Sequence, residues 1–289
     1  MNNNLDLWAS IFPQPTDADH KYSRGQIAIL GGMEMTGAAC LAAHSASRVG
    51  AGLVMIISPV FDFQVKDSIP SPVPIYRSYL PNLIVREGMS FLDYVRQAER
   101  KGVCVPIIGP GLGNDYATIR KIVLTALKRN KPIILDADAL TAFDGHQAQL
   151  FEALHGEAII TPHRGEFNRL FPELINKEPQ EAALKAIQRI NCVLVLKGAR
   201  TIVAQNGKGA VVNDIGSPYL ATAGTGDVLA GILAGLIAQG MPVFEAASAG
   251  VWIHGRVAQM FGAGLMATDL PDLIPQVLQE VLGFQQKLV

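Results

Sequence analysis

Cysteine is scarce and scattered in this chain. Cys40, Cys104 and Cys192 each stand alone in apolar surroundings, with no CxxC pair and no ligand spacing for a zinc site. They read as buried thiols in a reducing compartment rather than as disulfide partners. An excess of either charge is also missing. The 24 Lys and Arg nearly match the 25 Asp and Glu, for a net charge of -1, so no broad cationic surface is available for nucleic-acid backbones. Long hydrophobic runs are lacking too. The most apolar stretch, Val228 to Ala238, holds eleven residues with Gly231 and Gly235 among them. That is about half of what a bilayer crossing needs, so it reads as a buried helix. The opening MNNNLDLW has no basic region followed by an apolar run, so no signal peptide is expected. The expectation is a cytoplasmic protein with neither a membrane nor a nucleic-acid partner.

What is abundant fits a large two-faced core. Hydrophobic residues make up 49% of the chain and charged ones only 17%, the balance of a protein whose strands are buried on both sides. Short apolar segments at Gln26–Leu30, Leu53–Ile57, Val105–Ile108, Pro132–Leu135, Ala158–Thr161 and Val193–Leu196 alternate with helical patterns. This alternation predicts an α/β fold with a mainly parallel central sheet and helices on both faces. Thr201–Ala204 and Ala210–Asn213 flank Asn206-Gly207, a hairpin signal that adds a short antiparallel pair. Helices are expected from about Gly37 to Val49, Phe91 to Glu99, Tyr116 to Lys128, Asp227 to Gln239, Phe244 to Met260 and Pro271 to Leu282. Five prolines between Pro59 and Pro81 disfavour long regular elements there; a surface excursion and an oligomer contact are both open. No repeat or linker divides the chain, and a single domain over 1–289 with a core at about 24–270 is expected.

The chemistry gathers at the ends of these strands. Ala223-Gly224-Thr225-Gly226-Asp227 opens the most apolar helix. Its glycines permit close approach by a ligand, and the free N–H groups of a helix start favour phosphate. Asp227 reads as a general base or a hydroxyl positioner beside that anion pocket, against the simpler reading of a helix cap. Lys197-Gly198-Ala199-Arg200-Thr201 is either a phosphate-facing turn or a solvated basic one. Gly109-Pro110-Gly111-Leu112-Gly113 follows a strand but is not a dinucleotide fingerprint; its value is its position. Asp136 and Asp138 could orient a hydroxyl, hold Mg²⁺ through water, or cap a helix. His163 could hydrogen-bond a substrate, and Glu166 could cap a helix or join a magnesium network through water. His254, inside an apolar helix, reads as a core histidine.

Taken in order, these blocks resemble the carbohydrate-kinase-like NAD(P)H-hydrate dehydratases. The likeness runs from about Arg24 to Leu270. It is carried by Gly31-Gly32, Thr36-Gly37-Ala38, Gly50-Ala51-Gly52-Leu53, Gly109 to Gly113, Leu135 to Leu140, Thr161-Pro162-His163, Lys197-Gly198-Ala199 and Gly224 to Gly231. The resemblance implies a ribokinase-like fold and ADP-dependent removal of water from the (6S)-hydrates of NADH and NADPH. ATP takes the place of ADP in eukaryotic relatives. It further implies Asp227 as the catalytic residue, with Ala38, Gly113, His163 and Asp227 lining the hydrate. Lys197, Gly198, Ala199, Arg200, Thr201 and Gly226 would hold the AMP portion, and Mg²⁺ would accompany the phosphates with no ligand residue named. A homo-oligomer is implied, a homotetramer being one form open to it. The alternative reading is a vitamin or sugar kinase of the same superfamily. Where relatives carry Thr-Pro-His-Pro-Gly-Glu, this chain has Arg164 in place of the second proline, which sets a charge near the expected substrate site.

Overall fold

A computed structural model describes residues 1–64 and 70–287. The strands are β1 (Gln26–Leu30), β2 (Leu53–Ile57), β3 (Ile84–Arg86), β4 (Cys104–Ile108), β5 (Ile133–Leu135), β6 (Ala158–Ile160), β7 (Val193–Leu196), β8 (Thr201–Gln205) and β9 (Gly209–Asn213). They form one sheet in the order β3-β2-β1-β4-β5-β6-β7-β8-β9. Pairing is parallel from β3 through β7, while β8 runs antiparallel to both β7 and β9. This is the ribokinase-like α/β arrangement, including the antiparallel pair signalled by Asn206-Gly207.

Each strand splits its side chains between two apolar layers, because successive residues point to opposite faces. Ile27, Ile29, Val105, Ile107, Val193 and Val195 enter one layer. Ala28, Leu30, Cys104, Ile108, Leu194 and Leu196 enter the other. That is why the strands read as unbroken hydrophobic runs. The helices in chain order are α1 (Thr36–Arg48), α2 (Val73–Tyr79), α3 (Phe91–Glu99), α4 (Tyr116–Leu127), α5 (Asp138–Thr141), α6 (Gln147–Ala153), α7 (Arg164–Leu170), α8 (Pro179–Ala186), α9 (Thr225–Ala238), α10 (Val243–Phe261) and α11 (Leu270–Gln285). Helices α1, α9, α10 and α11 cover the first layer, and α3 to α8 supply the second.

The proline-rich middle holds more order than its composition predicts. Pro74 sits in the first turn of α2, where it sacrifices no helical hydrogen bond. β3 then adds to the sheet edge beside β2. At the opposite edge, the chain start covers β9: Asn2 bridges Val212, and the Asn3 N–H donates to the Val212 carbonyl at 2.8 Å. The short elements α5 and α6 are also absent from the sequence expectation, being too brief to establish a helical period.

Candidate active site

The sheet changes winding direction between β1 and β4, since β2 lies beyond one and β5 beyond the other. Such a switch point opens a crevice at the carboxyl ends of the strands. Gly31-Gly32 leaves β1 there and the Gly109–Gly113 loop leaves β4. The two loops meet backbone to backbone: a Cβ on Gly32 would stand 1.7 Å from the Gly111 carbonyl oxygen, so no side chain fits. Ala38, on the first turn of α1, is buried against the same loop. Its methyl shapes the crevice wall, while Gly113 is exposed at the mouth.

After β5 the backbone takes an unusual course. Ala137 adopts φ 47° and ψ -119°, a conformation costly for a residue with a Cβ. The strain turns its two flanking carboxylates to different tasks. Asp138 Oδ2 accepts the Gly113 N–H at 2.9 Å and so fastens the β4 loop. Asp136, only 2% exposed, pairs through Oδ1 with Lys197 Nζ at 2.7 Å. Neither provides a side-chain cap for α5, whose N-cap residue is Ala137.

The segment after β6 forms a reciprocal cap. His163 Nδ1 accepts the N–H groups of Gly165 and Glu166, and Glu166 Oε2 accepts the His163 N–H at 2.8 Å. The imidazole Nε2 therefore carries the proton; it lies 3.5 Å from Glu166 Oε1, while the side chain as a whole is 57% exposed. Glu166 is buried. Burial raises its pKa, Lys197 opposes that rise and Asp136 adds to it. The sequence set the Arg164 charge near the expected substrate site, and the fold gives that charge partners of its own. The Arg164 guanidinium donates to the carbonyls of Ile175 and Lys177 and lies over the Phe167 ring, which closes the loop after α7.

Asp227 stands in the first turn of α9. Gly224 is the N-cap with φ 91°, a left-handed turn that glycine adopts without strain, and no side chain caps the helix. The helix-cap alternative for Asp227 is thereby removed. Thr225 Oγ1 donates to the carbonyls of Leu220 and Thr222, pinning the approach to the helix. Burial, then the Asp136 carboxylate, push the Asp227 pKa up to about 7; Lys197 pulls it down, and Asp138 and Glu166 raise it further. Burial dominates over the stabilising field of a helix N-terminus. A base whose pKa lies near neutrality is suited to accepting a proton at physiological pH.

Two contacts were not legible in the sequence. One is the Asp136–Lys197 pair, which joins residues 61 positions apart. The other is His254, whose Nε2 lies 2.9 Å from the Thr225 carbonyl. Burial depresses the His254 pKa to about 4, so the neutral ring donates this bond and braces the start of α9 from α10. A polar residue within an apolar helix was the available signal for it. Of the basic turn after β7, Lys197 dips inward while Gly198, Ala199 and Arg200 stay exposed, with Arg200 paired to Asp214 at 2.7 Å. Among the described residues no group of three His, Cys, Asp or Glu side chains is placed to hold a metal. The acids therefore do not form a metal cage by themselves. A cavity of about 410 Å³ lies at the amino ends of β4 and β5, lined in part by Cys104, Lys131 and Pro132, and contains none of the residues of this crevice.

The profile of the NAD(P)H-hydrate dehydratase family matches residues 27–280. The chain belongs to this family. It is 35% identical over 281 residues to the bifunctional NAD(P)H-hydrate repair enzyme of Salinibacter ruber, covering 91% of this chain and 50% of that one. Thus the chain spans about half the length of the bifunctional relatives it matches. It is 34% identical to the ADP-dependent (S)-NAD(P)H-hydrate dehydratase of Neisseria meningitidis, covering 90% of this chain and 87% of that one. Among solved structures, an ADP/ATP-dependent NAD(P)H-hydrate dehydratase from Bacillus subtilis, co-crystallised with ATP and Mg²⁺, superimposes with a TM-score of 0.77. It has 27% identity, and the match covers 97% of this chain and 98% of that chain. No helix among the described residues is long and apolar enough to cross a membrane.

Proposed function

We propose that the protein is an ADP-dependent dehydratase that converts the (6S)-hydrates of NADH and NADPH back to the reduced dinucleotides. One observation carries the reading: in a chain of this family, a buried carboxylate with a pKa near 7, Asp227, faces the crevice from a glycine-framed helix start. The hydrated ring bears a hydroxyl on C6, a poor leaving group. Asp227 takes the hydroxyl proton as the oxygen attacks the terminal phosphorus of ADP; the bond to the bridging oxygen breaks and AMP leaves. The ring nitrogen lone pair then expels phosphate from C6. Loss of a proton from C5 restores the double bond, so the products are the reduced cofactor, AMP and phosphate.

The free N–H groups at the start of α9 stabilise charge on the transferring phosphoryl group. Ala38, Gly113 and His163 border the hydrate, His163 offering Nε2–H to a polar group of the substrate. Lys197, Gly198, Ala199, Arg200, Thr201 and Gly226 border the AMP portion. Mg²⁺ comes with the nucleotide phosphates; the Bacillus subtilis protein was co-crystallised with ATP and Mg²⁺. We place the enzyme in the cytoplasm, where free ADP and reduced dinucleotides occur together, and as a homo-oligomer.

The deciding experiment follows recovery of 340 nm absorbance from a mixture of hydrated NADH epimers. Wild type and Asp227→Asn are compared with ADP, with ATP and with no nucleotide. Recovery that requires ADP and falls at least 100-fold in the variant is expected. No recovery from folded wild type with either nucleotide would overturn the proposal and turn attention to stable alcohols as phosphate acceptors.

A further inference from the structure

The Lys197 ammonium lies against the acid cluster at the strand ends. Its Nζ is 2.7 Å from Asp136 Oδ1, and its side chain is 20% exposed against 2% for Asp136. Gly226 closes over it: a Cβ on that glycine would lie 3.2 Å from Lys197 Nζ and 3.8 Å from Asp136 Oδ2. The backbone is fixed as well, since the Lys197 N–H donates to the Pro162 carbonyl at 2.9 Å and its strand end bridges His163. The lysine therefore leaves β7 already held toward the ends of β5 and β6 and the start of α9. The following residues of the turn point to solvent.

We infer that Lys197 is a positioning residue for proton transfer, its ammonium being the counter-charge that holds the carboxylates of Asp136, Glu166 and Asp227 together at one crevice. The charges that act on Asp227 come from the ends of β5 and β7 and from α5 and α7. Asp136 ends β5, Asp138 opens α5, and Glu166 lies on α7 with His163 as its cap. From α10, the buried neutral His254 adds a hydrogen bond but no charge. The strongest charged influences on Asp227 are thus three acids and one ammonium. Burial works against the ammonium, yet Asp136, Glu166 and Asp227 outweigh it and raise the Lys197 pKa. The competing role, a phosphate anchor for ADP, is read from ADP affinity rather than from the Asp227 titration. The inference deepens the dehydratase reading but is testable without turnover.

The test is a carboxyl titration of nucleotide-free full-length protein labelled with ¹³C-carboxyl aspartate, in wild type, Lys197→Met and Lys197→Arg. Asp227→Asn identifies the Asp227 resonance. ADP affinity is measured on the same samples by calorimetry. The Asp227 midpoint is expected to rise by about one unit or more in Lys197→Met, a tenfold loss of acidity, and to return in Lys197→Arg. The double variant Asp136→Asn/Lys197→Met removes both buried charges and is expected to bring the midpoint back toward wild type even if the single variant folds poorly. An unchanged midpoint in Lys197→Met, or in its absence a midpoint in the double variant that differs from wild type by a unit or more, would overturn the inference. So would a tenfold loss of ADP affinity with an unshifted titration, which would mark Lys197 as a phosphate anchor. Absence of dehydratase turnover would leave this readout intact.

Discussion

At the scale of single residues, the ionisation of Asp227 connects activity to stability with opposite signs. As the proposed base it works only when deprotonated, and burial sets its pKa at about 7. We expect kcat/KM to fall about tenfold per unit below pH 7 and to level above it, measured as a pH profile of cofactor recovery. The folded value stands above the ordinary 3.8, so the folded state binds this proton more tightly than the unfolded chain. Its contribution to stability is therefore greatest at low pH, declines as pH rises from about 4 to 7, and stays at its lowest beyond. Asp227→Asn removes that cost. The inactive variant should exceed wild type by on the order of 1–3 kcal/mol above pH 7, with the gap shrinking toward pH 5. Thermal melts across this range check the prediction, and a variant less stable than wild type at pH 8 would contradict it.

At the scale of elements, the placement of Asp227 depends on how closely α9 approaches α1. Ser45 Oγ donates to the Val228 carbonyl at 2.9 Å. A Cβ on Gly231 would fall 2.1 Å from both the Ala42 carbonyl oxygen and Ser45 Oγ. Small residues along α1, including Ala38, Ala39, Ala42, Ala43 and Ala46, give α9 a surface near its own backbone. Gly231→Val should force the helices apart, lowering stability by about 2–3 kcal/mol. It should also lower kcat through displacement of Asp227. Urea denaturation and the recovery assay read the two effects, and wild-type values in both would refute the packing account.

Across the whole molecule, distant segments tie the edge of the sheet to the helix layer. Asn3 Nδ2 donates to Asn213 Oδ1 at 2.9 Å and to the Ser248 carbonyl at 2.7 Å, while Trp8 Nε1 donates to Asn3 Oδ1. One buried amide thus joins the chain start, the end of β9 and α10. Asn3→Ala leaves those partners unsatisfied and should cost about 1–3 kcal/mol. We propose that the chain unfolds as one unit, so the loss should appear as a shift of a single denaturation transition. A separate early transition would argue against both the tie and the single-domain expectation.

The sequence by itself determined the alternating elements, because burial on two faces demands unbroken apolar strands and the glycine turns mark their ends. It also singled out Asp227, Asp136, Asp138, Lys197, His163 and Glu166 as strand-end or helix-start groups. Their partners could not be read there: the tasks of Asp136 and Asp138 depend on the strained turn at Ala137, and Arg164 donates to carbonyls after α7. The proline-rich segment concealed α2 and β3, whose stability comes from the neighbouring β2 and helix layer rather than from local pattern. Only the tertiary structure placed one ammonium among Asp136, Glu166 and Asp227 and a neutral His254 behind α9. Local sequence sets backbone preference over a few residues, whereas a pKa or an ion pair depends on charges brought within a few ångströms by the fold.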